Sequence, residues 1–504
     1  MRNRPLFMAL HLAIASFGVA AIASSSAIGT VESAAAGDEF GRMFNLPPFA
    51  APTPAVQAAL TELGKRGGLM DAKDNLAAGP IALIVDPALS LNNPDSTQHT
   101  AGVTFVGQFL DHDMTFDTTS RLGRPTNPRT ALNARRPFFD LDAVYGDGPA
   151  GSPLLYELSD RARLRVESGG RFEDLPRDAS GRAIIADPRN DENVILAGLH
   201  TAFLLFHNHA VDLVRSAHPA WPSEDVFDEA RRLTTWHYQW MIVHEFLPLF
   251  VGAAMVDDVL VNGRQFYRPK KDDAVIPIEF QIGYRFGHSM VRPSYRANFT
   301  GNDGSPFFAM IFDGAQPSPD EPADLRGGRR SERRFVGWQT FFRFPGFEGD
   351  VRANKRIDTR LSTPLFDLPL SAIAAGTPPT SLAQRNLLRH LTWRVPSGQA
   401  IARAMGETAL SDGDLADLGS VYEPFVGSTP LWYYILKEAD VREDGARLGP
   451  VGGRIVAEVF IGLLQLDSDS FLNSPSEFTP SLGAVAGRFQ MTDFLTFAGV
   501  ADKR

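Results

Sequence analysis

Apolar residues return every three or four positions over residues 104–114, 195–216, 223–250, 282–291, 381–389 and 453–464, the period of a helix that turns one face to a core. Runs that alternate with period two are few and short. Stretches rich in Pro, Gly and Asp at 121–128, 313–329 and 344–350 read as long loops, because these residues interrupt regular structure. No repeat, low-complexity tail or clear linker breaks the pattern. It predicts a mainly α protein, a single large helical domain over 55–504 with little β-structure. A weakly patterned arm of small residues at 28–54 is expected to lie on its surface.

Arg2 and Arg4 precede an apolar run over 6–23, and Ser24, Ser25, Ser26 and Ala27 follow it. A charged start, an apolar stretch and small residues are the parts of a secretory signal peptide, expected here over 1–27. An uncleaved anchor is the other reading of a run that approaches the ~20 apolar residues needed to cross a bilayer. Either way the remainder is expected to be secreted or periplasmic. No later segment reads as long and apolar enough to span a membrane. Of 504 residues, 44% are apolar and 21% charged, the balance of a globular chain rather than a disordered or polytopic one. A formal net charge of −10 argues against nucleic acid as a partner, since such a surface repels a phosphate backbone. The absence of cysteine excludes disulfides, thiolate zinc sites, iron–sulfur clusters and cysteine nucleophiles together. Any metal must be held by His, Asp, Glu or carbonyl oxygen.

The most informative segment is Gly107-Gln108-Phe109-Leu110-Asp111-His112-Asp113. On a helix Gln108, Asp111 and His112 share a face, whereas Asp113 lies about 200° round from Asp111, so the two carboxylates serve different sites. A histidine between two acids is costly to bury without partners or ligands, although His112 taken alone also fits a hydrogen-bonded structural histidine. A second segment, Phe138-Phe139-Asp140-Leu141-Asp142-Ala143-Val144-Tyr145-Gly146, places two aspartates two residues apart, on one side of an extended loop. With Asp113 they supply three carboxylates, and the backbone carbonyls of Arg136 and Phe138 would complete an oxygen shell for Ca²⁺. Without Asp113, Asp140 and Asp142 would read as caps of a turn.

The two strings together resemble the distal-histidine helix and calcium loop of the animal-type haem peroxidases, the myeloperoxidase and peroxidasin superfamily. Three further segments agree, in the family's order. Asp187-Pro188-Arg189-Asn190-Asp191-Glu192 precedes Leu199-His200-Thr201 and His207-Asn208, as the family's R-x-x-E segment precedes its LHT helix. Arg285-Phe286-Gly287-His288 matches the R-x-G-H proximal motif, and Asn386 with Arg389 matches the asparagine and arginine that follow it. The resemblance covers roughly 40–470, and the lack of cysteine is closer to compact bacterial members than to disulfide-bearing animal ones.

The resemblance implies a haem-peroxidase-like helical fold holding haem b. His288 would be the axial iron ligand, its second nitrogen donating to Asn386. His112 and Arg189, with Gln108, would be the catalytic groups that split hydrogen peroxide by way of a ferryl intermediate. Asp111 and Glu192 would form esters to the haem, while Asn193 stands where myeloperoxidase has a linking methionine, so no third bond is expected. Arg285 and Arg389 would pair with the propionates. Asp113, Arg136, Phe138, Asp140 and Asp142 would hold Ca²⁺, with Arg136 in place of the family's threonine and Asp142 in place of a serine. The reductant would be a halide, thiocyanate or a phenol. Two other functions share the scaffold. A fatty-acid dioxygenase or cyclooxygenase-like enzyme needs a tyrosine three residues before the proximal histidine, and that position is Arg285. A catalytically idle haem-containing adhesion module would carry appended domains, and none is seen.

Overall fold

The computed structural model describes residues 39–502, except 169, 171, 270–273, 302–303, 315–321 and 330–332. The expected signal peptide, 1–27, and the first part of the arm lie outside the described residues. Seven helices form the frame that positions the site. They are α1 (Ala101–Met114), α2 (Val194–Ala217), α3 (Ser223–Met241), α4 (Ile278–Gly283), α5 (Leu382–Trp393), α6 (Leu431–Glu443) and α7 (Pro450–Leu466). Strands among the described residues form four two-stranded pieces, the longest joining Asp95–Thr100 to Ala353–Lys355, with isolated bridges elsewhere. The mainly α architecture follows the periodicity of the sequence.

Helix α1 ends where Thr115 turns extended and its N–H reaches Asp111 O at 2.9 Å. Its apolar face carries Phe109, whose ring stacks on Phe203 of α2 with centroids 4.5 Å apart and planes within 9°. Helix α2 starts at Asn193, whose side chain accepts from Leu196 N at 2.8 Å, the interaction that satisfies a free amide in a first turn. Helices α6 and α7 approach closely enough that a Cβ on Gly452 would stand 2.7 Å from the Ile435 side chain.

Four sequence expectations are modified. The stretch 223–250 is broken by a π turn at Ile242–Phe246, ahead of Leu247–Val251. Pro248 has no N–H to give to the preceding turn. Residues 282–291 do not form one α-helix. After α4 the chain tightens into a 3₁₀ turn over Tyr284–Met290, and three residues per turn bring Arg285 and His288 onto one edge. The arm is not merely superficial. Phe40 is buried, as are Phe44 and Phe49, because large rings gain most by leaving water. Finally, α2 is long and apolar enough to cross a membrane, contrary to the sequence reading, but 83% of its most apolar window is buried inside the protein.

Candidate active site

Helix α1, the segment before α2, the 3₁₀ turn and α5 surround one cavity of about 1450 Å³, counting its open mouth. Gln108, Asp111, His112, Arg189, Arg285 and His288 all line it. As the helical spacing predicts, Asp113 faces away.

On the α1 side His112 is buried, and its Nδ1 lies 2.9 Å from Asn190 Oδ1. The Asn190 Nδ2 lies 3.0 Å from His200 Nδ1 on α2. Burial first, and the nearby Arg189 second, push the His112 imidazole down to about 4, so the ring is uncharged at neutral pH and keeps Nε2 for the cavity. Arg189 does not pair with Asp111 or Glu192. Its Nε and Nη2 donate to Asp187 at 3.0 and 2.7 Å, and Nη2 also donates to the carbonyls of His112 at 3.1 Å and Thr115 at 2.6 Å. Burial works against ionising Asp187, but Arg189, with Arg135 behind it, outweighs burial and holds the carboxyl well below the ordinary range. Glu192 is the opposite case. Burial raises it to about 8 against the pull of Arg189, and it accepts from Gln108 Nε2 at 3.1 Å. Asn193 Nδ2 donates to Gln108 Oε1 at 3.2 Å, which fixes the orientation of that amide.

On the opposite side His288 Nδ1 lies 2.7 Å from Asn386 Nδ2, and Asn386 Oδ1 is buried without a partner. A half-turn of that amide brings Oδ1 onto an Nδ1–H, removes the orphan and leaves Nε2 bare, the form in which an imidazole binds a metal. Burial, then Arg285 and Arg389, push His288 down to about 3. Trp432 Nε1 donates to Arg285 O at 3.0 Å and anchors the turn.

The acidic cluster forms beneath α1. Asp113, Asp140 and Asp142 each offer an oxygen within 4.8 Å of the others. They do not meet through an extended loop, as the sequence suggested. Leu141 adopts a left-handed conformation, φ 60°, and Asp142 opens a short helix, Asp142–Tyr145. That turn aims the Leu141 and Ala143 amides at Asp113 at 3.2 and 3.4 Å. Tyr238 OH donates to Asp113 at 3.0 Å. Asp142 Oδ1 accepts no hydrogen bond but pairs with Arg135 Nη1 at 3.4 Å, and burial, then Asp142 and Asp140, raise Asp113 well above its usual range. Arg136, expected to offer a carbonyl, also places its guanidinium 2.9 Å from Asp140, and its carbonyl accepts from Phe138 N at 2.8 Å.

Comparison with known proteins adds an independent observation. Residues 118–310 match the family model described as animal haem peroxidase. Over that stretch the chain is similar to the animal haem peroxidases. It is similar to human eosinophil peroxidase, 30% identical over 183 residues, which are 33% of this chain and 25% of that protein. It is also similar to pig thyroid peroxidase, 28% identical over 211 residues, 37% of this chain and 23% of the other. The matched stretch thus spans about a quarter of the length of these relatives. In fold it resembles peroxidase A from Dictyostelium discoideum, with a TM-score of 0.60, 16% identity and coverage of 92% and 91% of the two chains. A fatty acid alpha-dioxygenase from Oryza sativa also shares the fold, with a TM-score of 0.56, 15% identity and coverage of 92% and 79%.

A porphyrin fits the cavity on grounds of its own. Arg285 Nε is buried without a partner. Burial, then Arg285 and Arg385, lower Arg389 to about 9. Guanidiniums crowded in this way, with no ion pair to any of them among the described residues, call for anions such as two propionates. The family model begins after α1 and ends before α5, so it does not reach Gln108, Asp111, His112 and Arg389, which line the cavity, or Asn386, which contacts His288. Several neighbours were missed by that reading. Asp187, Asn190, His200, Arg135 and Arg385 all touch or support the site. The signal for Asp187 and Asn190 was their adjacency to Arg189, and for His200 its place one helix later. Arg385 had only its adjacency to Asn386.

Proposed function

We propose that this protein is a secreted haem peroxidase, which reduces hydrogen peroxide and oxidises a halide, thiocyanate or small phenol. The observation that carries this reading is the meeting of an uncharged His112, Arg189 and a bare-nitrogen His288 around one cavity. Haem b would be held by His288, with Arg285 and Arg389 at its carboxylates, and would supply the two electrons that O–O cleavage consumes. Asn386 accepts from His288 Nδ1 and keeps that imidazole electron-rich. His112 Nε2 would take a proton from one peroxide oxygen and return it to the departing one, which leaves as water. Arg189 stabilises the negative charge on that departing oxygen and, being locked to Asp187, does so without reorganising. Gln108 borders the same space and holds Glu192 by a hydrogen bond. Asp111 and Glu192 are the candidates for ester links, and the raised Glu192 carboxyl already carries a proton at neutral pH.

Asp113, Asp140 and Asp142, with the Arg136 and Phe138 carbonyls, are proposed to hold Ca²⁺. The chemistry of three hard oxygen donors supports this, and the Arg136 guanidinium partly neutralises Asp140. Export rests on the character of residues 1–27. A dioxygenase reading gains little support, because Tyr284 donates to Gly107 O at 3.0 Å and Arg285 stands where the radical tyrosine belongs. The haem-loaded protein is tested with bromide, thiocyanate and guaiacol. Peroxide-dependent oxidation of at least one is expected. Consumption of linoleate with oxygen and no peroxide would instead favour the dioxygenase.

A further inference from the structure

His112 and His200 stand on different helices with the Asn190 amide between them. All three side chains are buried, and the contacts are 2.9 Å from His112 Nδ1 to Oδ1 and 3.0 Å from His200 Nδ1 to Nδ2. An amide has one accepting end and one donating end. The two rings must therefore present opposite faces to it, one an N–H and the other a lone pair. With Oδ1 toward α1, His112 carries its hydrogen on Nδ1 and its bare nitrogen is Nε2. With Nδ2 toward α2, His200 carries its hydrogen on Nε2.

The reverse arrangement is equally self-consistent. A His200 hydrogen on Nδ1 would draw Oδ1 to itself, turn the amide and put Nδ2 against His112. His112 would then present Nε2–H to the cavity, where it could accept no proton. The charged groups near His112, namely Arg189, Asp187 and Asp111, make no hydrogen bond to its ring, so the amide alone orients it among the described residues. We propose that His200, acting through Asn190, is a positioning residue that fixes His112 in the Nδ1–H tautomer. His200 itself touches neither peroxide nor cofactor. The inference rests on the role proposed above for His112, but its primary test does not.

The full chain, labelled with ¹⁵N-histidine and loaded with diamagnetic zinc protoporphyrin, is examined by long-range ¹H–¹⁵N correlation. Hydrogen on Nδ1 of His112 and on Nε2 of His200 is expected, and no substitution is needed to see it. Both rings in the same tautomer, or the reverse pair with hydrogen on Nε2 of His112 and on Nδ1 of His200, would overturn the proposal. In Asn190→Leu and His200→Phe, His112 is expected to become a tautomer mixture or to switch. With iron, these variants should react with peroxide at least 10-fold more slowly at unchanged haem content. An unchanged His112 tautomer in both variants would also overturn it. If the wild-type tautomers are as stated and the iron protein ignores peroxide, the peroxidase reading fails and the positioning by His200 stands.

Discussion

In the proposed peroxide chemistry His112 would serve because burial keeps it uncharged and Asn190 keeps one nitrogen occupied. Removing it as His112→Ala should slow the reaction with peroxide by about 10²–10⁴, the usual contribution of a positioned acid–base group, with haem still bound. Stopped-flow absorption checks this. His288→Ala should instead lose haem, read as the ratio of Soret to protein absorbance after gel filtration. Arg189→Leu should cost about 10²–10³ in the same rate. Asp187→Asn should cost less, because Arg189 keeps its bonds to the His112 and Thr115 carbonyls. At this scale the sequence was legible wherever a motif and a helical period coincided, as for Gln108, Asp111 and His112 on one face. Asp187 was not, although it stands two residues before Arg189. Nothing in a linear string shows that its carboxylate, rather than Asp111 or Glu192, takes the guanidinium.

Elements set the site by where they can approach one another. A Cβ on Gly327 would lie 1.4 Å from Asp191 O, and Gly327 N donates to Glu192 O at 2.9 Å. Gly327→Ala must therefore displace the strip that carries Arg189 and Glu192, and it should lower both the peroxide rate and the melting temperature while touching no group of the cavity. Beneath α1 the acidic cluster makes a separate claim. Added Ca²⁺ should raise the melting temperature of the wild type and chelation lower it, whereas Asp113→Ala should abolish the response in differential scanning fluorimetry. Helix positions were legible from period alone. The 3₁₀ turn that aligns Arg285 with His288 was not, because both windings place residues three apart on neighbouring positions. The left-handed Leu141 was equally hidden, since its strain is relieved only by amides reaching Asp113.

Across the whole molecule, buried neutral histidines tie stability to acidity. His207 is held by Tyr145 OH and Ala162 O, and burial, helped by Arg231 and Arg163, lowers it from 6.5 to about 4. Its unfolded form binds a proton that the folded form refuses. The stabilisation it gives is full above pH 6.5 and is lost as pH falls through about 4. At roughly 1.4 kcal/mol per pH unit this amounts to ~3 kcal/mol. The stability gap between wild type and His207→Gln in urea unfolding should narrow by that amount between pH 7 and pH 4. At this scale the order of motifs along the chain carried the family resemblance, while the buried arm did not announce itself, because three phenylalanines among small residues make no period. The central claim is that His288 and His112 face one another across a haem. It is tested most directly by the absorption spectrum of the haem-loaded protein before and after one equivalent of hydrogen peroxide. The account predicts a ferric spectrum with a histidine-ligated Soret band that shifts within milliseconds in the wild type and far more slowly in His112→Ala. An equally fast shift in that variant, or haem bound unchanged in His288→Ala, would contradict it.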